Sequence, residues 1–246
     1  MTLEKAFSII IPAFNEKERL PAFLPGLKEI LAKERLSGEI IVVDDGSSTA
    51  DQRVYEELVK EKNEGVEVRL LRHKKNEGKG EALRTGFKAA HGGWVGFADA
   101  DGSTSAQEVV RLLKIALASA ALDGVFGSRI RMLGYNVERF FKRHIFGRLF
   151  ATAAYHFTGV PVYDSQCGCK FFRREKIIPL LALSKETGYL FDLELLSLGY
   201  RKGLKFLEVP ISWRDASGSK VHMCRDGVRM LLGLRRIKRN LLKEKV

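Results

Sequence analysis

The sequence predicts an α/β fold, a mainly parallel central sheet flanked by helices. Three observations lead to it. Between residues 6 and 127, short apolar runs alternate with longer stretches of helical period, the order that sets parallel strands side by side with helices on both faces. Most of the apolar runs are nearly continuous, as in strands covered on both sides. The chain has 246 residues and is 45% hydrophobic, enough to bury a sizeable core in one large domain or two small ones.

In order, Phe7–Ile11 is the first strand, ending at Pro12, and a helix follows over Glu18–Arg35. Glu39–Val43 is the second strand, closed by Asp44-Asp45-Gly46, with a helix over Asp51–Lys62. Val66–Leu71 reads with period two as the third, before a helix over Gly80–Ala90. Trp94–Ala98 is the fourth, and Ser105 is placed to cap the helix Ala106–Ala121. Val125–Gly127 is the fifth and ends in Ser128-Arg129. Two later helical stretches, Arg139–Phe157 and about 224–243, mix apolar and cationic side chains.

In such sheets ligands bind beyond the carboxyl ends of the strands. Those ends carry Pro12-Ala13-Phe14-Asn15-Glu16, Asp44-Asp45-Gly46-Ser47, Asp99-Ala100-Asp101 and Ser128-Arg129, the third strand being the exception. The centre of the pattern is Trp94–Ser105, where a buried strand runs into two carboxylates one residue apart. Two such carboxylates repel unless a cation lies between them, and hard oxygen ligands suit Mg²⁺ or Mn²⁺ sharing its shell with phosphate oxygens. Asp-x-Asp alone also suits a plain turn; the company of the other strand ends favours a site. Asn76-Glu77-Gly78-Lys79-Gly80 precedes a helix and can offer backbone N–H groups and Lys79 to a phosphate, or can be a simple helix-entry turn. No Gly-x-x-x-x-Gly-Lys-Ser/Thr occurs, and no Gly-x-Gly-x-x-Gly follows the first strand, which disfavours a Walker phosphate loop and a dinucleotide-binding unit.

The net charge of +12 is local: residues 129–148 carry +5 and residues 220–246 carry +7, so the remainder balances to zero. Two surfaces are therefore expected to meet an anionic partner. No window holds the roughly 18 uncharged apolar residues that span a bilayer, and the N-terminal run reads as a first strand and not a signal peptide. Cys167, Cys169 and Cys224 suit a reducing compartment, and Cys167-x-Cys169 lacks the second pair a zinc site needs. His73, His91, His144, His156 and His222 are scattered and read as surface or satisfied core residues.

Residues 9–16 (Ile-Ile-Ile-Pro-Ala-Phe-Asn-Glu), 42–47 (Val-Val-Asp-Asp-Gly-Ser), 76–80, 99–102 and 127–129 (Gly-Ser-Arg) together resemble the family 2 inverting glycosyltransferases of GT-A fold. Asp164-Ser165-Gln166-Cys167-Gly168-Cys169-Lys170-Phe171-Phe172 is similar to the acceptor-side motif of dolichyl-phosphate sugar synthases, nearer the β-glucosyltransferase branch than the mannose branch. Trp213-Arg214 through Gly218-Ser219-Lys220 is similar to a flexible loop of these enzymes. The resemblance implies a donor-binding half over residues 1–128, an acceptor half over 129–222 in the same catalytic domain, and a basic amphipathic helix over 223–246. It implies that Pro12, Ala13, Phe14, Glu16, Val43 and Asp45 frame the base and ribose of a nucleotide-sugar, UDP-glucose being favoured and GDP-mannose the alternative. Lys79, Ala100, Arg214 and Lys220 complete the donor set, with Arg214 and Lys220 closing over the phosphates. Asp99 and Asp101 would hold Mg²⁺ or Mn²⁺, which stabilises the leaving nucleoside diphosphate; Ser103 stands where relatives place a further metal ligand.

The acceptor implied is a dolichyl or polyprenyl phosphate, already ionised near neutral pH, so that positioning and electrostatics suffice. Arg129, Arg139, Lys142 and Arg143 are the cations expected near it, with Asp164, Ser165 and Gln166 shaping the pocket. Asp192 can shape that pocket or act as a base, and Glu194 can be a buried partner for an arginine. Phe140, Phe141, Ile145, Phe146, Leu149 and Phe150 would lie in a lipid boundary with neighbouring cations toward headgroups. In the last helix Met230, Leu234, Ile237 and Leu241 share a face that can meet lipid or pack on the chain. The enzyme is then peripheral on the cytoplasmic face of a membrane, and the sequence leaves open a membrane-spanning partner subunit. A same-fold transferase acting on a sugar hydroxyl would need a base, with Asp192 or Glu194 the place for it. Nucleic acid is disfavoured as a partner, because the strand-end carboxylates repel a phosphate backbone and no recognised nucleic-acid motif is present.

Overall fold

In the computed structural model, residues 5–60, 65–138, 141–215 and 223–243 are described, with side chains except at 141–144 and 223–229. The strands are β1 Phe7–Ala13, β2 Gly38–Asp44, β3 Val66–Arg72, β4 Trp94–Ala98, β5 Gly124–Ser128, β6 Val137–Glu138, β7 Cys169–Arg173, β8 Phe206–Pro210 and β9 Trp213–Arg214. The helices are α1 Arg19–Lys33, α2 Thr49–Lys60, α3 Lys79–Ala89, α4 Ala106–Ala118, α5 Phe141–Thr158, α6 Arg174–Leu181, α7 Phe191–Arg201 and α8 Met223–Lys243. All five predicted strands and all six predicted helical stretches are present, with ends shifted by a few residues.

Seven strands form one sheet in the order β3-β2-β1-β4-β7-β5-β8, and β6 pairs with β9 in a small second sheet. Pairing is parallel except at β7, which runs antiparallel to both β4 and β5. β7 and β8 come from beyond residue 129, so the two sequence halves share one sheet. β1 continues through Pro12 to Ala13; its pairing with β4 stops at Ile10, leaving β2 alone beside Pro12. A strand bonded on one side only tolerates proline.

Successive residues of the central strands feed opposite faces. Ile9, Ile11, Ile40 and Val42 pack with Leu20, Leu24 and Leu27 of α1 and Val109, Leu112 and Leu113 of α4. Ile10, Ile41 and Val43 pack with Phe87 of α3, Leu195 and Leu198 of α7, and Leu234, Ile237 and Leu241 of α8. The apolar face of the last helix is thus spent on the chain itself. No helix among the described residues is long and apolar enough to cross a membrane.

The strand ends opposite the site are anchored by Glu39, whose side chain is fully buried. It accepts from Lys5 Nζ at 2.9 Å, Ser8 Oγ at 2.7 Å, the His91 N–H at 2.8 Å and Arg69 at 3.0 Å. Burial opposes its charge, but these donors outweigh burial and bring its pKa down from 4.5 to about 2. A depressed carboxylate contributes stability that is present above its unfolded pKa and lost as pH falls through the folded one. At 1.36 kcal/mol per unit the contribution is about 3 kcal/mol. Urea unfolding of Glu39→Gln is expected to show that deficit at pH 7 and a shrinking one between pH 4.5 and about 2; an equal deficit at pH 7 and below 2 would contradict the assignment.

Candidate active site

The loops at the carboxyl ends of β1 and β2 are tied to one another. Asn15 donates its N–H to Ser47 Oγ at 3.0 Å and accepts from the Ser48 N–H at 2.9 Å, while the Glu16 N–H donates to Tyr55 at 2.7 Å. Asp44 is fully buried and accepts from the Ser47 N–H and Arg72, both at 2.9 Å. Asp45 accepts from the Glu77 and Gly78 N–H groups at 2.9 Å each, and His73 Nδ1 lies 2.8 Å from it. Its carboxylate therefore fastens the 76–80 turn to the end of β2. Gly78 has φ +102°, which a side chain would disfavour. The third strand does contribute at its end: His73 bridges Asp45 and Thr85. Nothing in the sequence pattern points to this, because a single His carries no spacing signal.

Lys79, the first residue of α3, pairs with Asp99 at the end of β4. Burial works against the Lys79 charge, but Asp99 and then Asp192 favour it and raise the pKa. Asp101 is pushed up first by burial and then by the Asp99 charge, and accepts from the Ser103 N–H at 2.9 Å. The Ser103 hydroxyl also bonds Asp101, so it holds the carboxylate in place. A carboxylate whose charge is disfavoured by burial and by a like-charged neighbour is a site where a cation is favoured. Among the described residues no three His, Cys, Asp or Glu side chains cluster to hold a metal, so a metal here would have Asp99 and Asp101 from the chain and phosphate or water for the rest. Gly168 abuts this pair: the Asp99 N–H donates to its carbonyl at 3.0 Å, and a Cβ on Gly168 would fall 1.9 Å from Asp99 Oδ2.

Beyond Gly168 lies the acceptor-side motif. Arg129 clamps Asp164 through Nε at 2.5 Å and Nη2 at 2.7 Å, and stacks 5.2 Å from the centre of the Trp213 ring. Burial opposes both charges; each nevertheless holds the other ionised, with Asp164 well below the carboxylate range and Arg129 above its own. Glu208 of β8 holds the Tyr163 and Asp164 N–H groups at 2.8 and 2.6 Å. Lys170, fully buried in β7, donates to Asp192 Oδ2 and the Cys167 carbonyl at 2.6 Å each. Asp192 Oδ1 accepts from the Leu193 N–H at 2.8 Å and lies 3.5 Å from Gln166 Nε2. The Ser165 hydroxyl is buried without a hydrogen-bond partner among the described residues. Glu194 is spent elsewhere: it takes Ser184, the Lys185 and Glu186 N–H groups and Asn240, all at 2.7–2.8 Å. Its partners are a hydroxyl, amides and a carboxamide, not an arginine.

A cleft of about 800 Å³ opens over these strand ends, within the range of small-molecule sites. Pro12, Ala13, Phe14, Glu16, Asp45, Lys79, Asp99, Ala100 and Asp101 of the expected donor set line it. Val43 does not: its side chain is fully buried in the core under α3. Arg214 does not either; its guanidinium is largely exposed on Glu138 at 2.9 Å, and only its backbone reaches the site, donating to the Ser103 carbonyl at 3.1 Å. Lys220 and Arg139 lie outside the described residues, as do the side chains of Lys142 and Arg143 on α5.

The opposite wall was not foreseen: Glu186, Thr187, Gly188, Tyr189 and Leu190 before α7, and Met230, Leu232 and Arg236 of α8. Arg236 holds Glu186 with two bonds of 2.9 Å, and Arg84 holds the Glu186 carbonyl at 3.0 Å. Thr187 in turn accepts from the Glu81 N–H at 3.1 Å. Arg19 also lines the cleft.

A sheet with one antiparallel strand inserted beside an acidic strand end, a nucleotide-sized cleft over it and helices on both faces defines the GT-A class of glycosyltransferases. The chain belongs to glycosyl transferase family 2, whose model matches residues 8–181, and it is an enzyme. It is 33% identical over 240 residues to the dolichyl-phosphate β-glucosyltransferase of Saccharomyces cerevisiae, covering 91% of this chain and 71% of that protein. The Drosophila melanogaster protein of the same name is 35% identical over 226 residues, covering 87% and 68%. The fold is shared with glucosyl-3-phosphoglycerate synthase of Mycobacterium tuberculosis, solved with Mn²⁺, UDP-glucose and phosphoglyceric acid, at a TM-score of 0.69 and 19% identity over 97% of this chain and 79% of that one.

Proposed function

We propose that the enzyme transfers glucose from UDP-glucose to a dolichyl-type polyprenyl phosphate, with inversion and with a divalent metal on Asp99 and Asp101. The carrying observation is that the carboxylates on the acceptor side are already committed. Asp164 is clamped by Arg129, Asp192 by Lys170 and a backbone N–H, and Glu194 by four donors. A sugar hydroxyl needs a base and finds none poised among them, whereas a phosphate arrives ionised. The two relatives named above support the glucose and the lipid phosphate, and the UDP-glucose and Mn²⁺ bound by the mycobacterial synthase support the donor and metal.

When bound, Mg²⁺ or Mn²⁺ supplies Lewis-acid stabilisation of the departing diphosphate. Lys79 adds a positive charge beside the same phosphates, and Asp45 holds the turn that carries it. Arg129, kept ionised by Asp164, faces the acceptor side with Ser165 and Gln166. The glucosyl carbon is then approached by a phosphate oxygen from the face opposite the leaving diphosphate, which gives inversion.

The lipid would be reached from a membrane surface. Leu133, Ile145, Phe146, Leu149, Leu231 and Leu232 are exposed apolar side chains, and Arg235, Lys238, Arg239 and Lys243 are exposed on α8. Cations near an anionic bilayer contribute about 1 kcal/mol each. This supports peripheral attachment to an anionic membrane surface.

The test offers the enzyme UDP-glucose and metal with vesicles carrying polyprenyl phosphate, vesicles carrying the uncharged polyprenol, or soluble sugars. Glucosylation of the phosphate alone, stimulated by anionic lipid and weakened by salt, is expected. Glucosylation of polyprenol or a soluble sugar at a comparable rate would overturn the acceptor assignment.

A further inference from the structure

We propose that Arg19, aimed by Glu16, binds the diphosphate of the donor, and that Glu16 acts through Arg19 instead of reading the base. The inference rests on the nucleotide-sugar reading above and names a further residue for it. Glu16 and Arg19 both line the cleft together with Asp99 and Asp101. The two Glu16 oxygens receive Arg19 Nε and Nη2 at 2.5 Å each. Such a fork fixes the guanidinium plane as well as its position.

The direction in which Arg19 faces follows from its helix. Arg19 begins α1, and Phe23 stands one turn later on the same side. The Phe23 ring lies against the turn that follows Asp101: a Cβ on Gly102 would sit 3.6 Å from it. Arg19 therefore looks onto the Asp99–Gly102 segment; burial opposes its charge, while Glu16 first and then Asp101 and Asp99 favour it. Lys79 flanks the acidic pair through Asp99, and Arg19 lines the same cleft on the Asp101 side, so a diphosphate held there would meet a cation on either side.

The test is calorimetric titration of UDP, GDP and uridine, with Mn²⁺ present, into the wild-type enzyme and the variants Arg19→Gln, Arg19→Lys and Glu16→Gln. Losing a charge-assisted pair of bonds predicts roughly a 10- to 100-fold weaker UDP affinity for Arg19→Gln. Uridine, which has no phosphate, should bind Arg19→Gln as it binds the wild type. Arg19→Lys keeps the charge without the fork and should fall between. Glu16→Gln should weaken UDP while leaving the preference between UDP and GDP unchanged. The proposal is overturned if Arg19→Gln binds UDP within twofold of wild type, if it loses uridine equally, or if Glu16→Gln alone alters the base preference. A wild-type enzyme that binds neither UDP nor GDP would instead remove the donor reading on which the proposal stands. Equal melting temperatures guard against loss of fold, and Arg19→Lys serves if Arg19→Gln does not fold.

Discussion

Asp101→Asn should reduce glucosyl transfer by about 10³-fold or more while the protein melts at or above the wild-type temperature. The first half follows from the metal assignment. Transition-state charge on the departing diphosphate is worth several kcal/mol of stabilisation, and each 1.36 kcal/mol is tenfold in rate. The second half follows from the geometry. Asp101 is held up by burial and by the Asp99 charge, so in the metal-free protein the carboxylate is a source of repulsion and its amide is not. Rate measured at saturating UDP-glucose and Mn²⁺, beside a thermal melt without metal, checks both. Transfer within tenfold of wild type would remove the metal role from this residue.

Lys170→Met should cost roughly 3–5 kcal/mol of stability, the price of leaving a buried carboxylate unpaired. Lys170 is fully buried, and its ammonium bridges Asp192 and the Cys167 carbonyl. The double variant Lys170→Met with Asp192→Asn removes both charges and should regain most of that loss. It also separates the two acceptor chemistries. If Asp192 were a base for a sugar hydroxyl, the refolded double variant would be inactive. On the phosphate-acceptor account it keeps transfer to polyprenyl phosphate within about tenfold, since a missing general base typically costs 10²- to 10⁴-fold. Urea unfolding and turnover on the same samples give both answers.

The first half of the molecule was legible because its information is local. Ile9-Ile10-Ile11 and Ile40-Ile41-Val42-Val43 show strands buried on two faces, and the polar groups that end them mark where a ligand sits. β7 was legible only as a motif. Its insertion between β4 and β5 places Gly168 against Asp99 and Lys170 against Asp192, and no periodicity within residues 164–172 reports partners so far away in the chain. The same limit hid the second wall of the cleft. Glu186 and Arg236 lie 50 positions apart and read separately as ordinary surface charges, yet they join with two bonds. Arg19 was overlooked for the opposite reason: it is so close to Glu16 that the pair passes for routine i,i+3 pairing on a helix. Val43 was assigned to the donor from its motif, although its hydrophobic side chain suits the core it occupies. Arg214 came from a loop resemblance, and β9 turns its side chain toward Glu138.

The central claim is a metal-dependent transfer of glucose onto a lipid phosphate, and radiolabel partition tests it most directly. UDP-[¹⁴C]glucose and, in parallel, GDP-[¹⁴C]mannose would be incubated with the enzyme, polyprenyl phosphate in detergent and Mn²⁺ or Mg²⁺, then extracted into organic solvent. The account predicts label in the organic phase from UDP-glucose only, and only with metal present. Label from GDP-mannose instead, or equal transfer in a metal chelator, would contradict it.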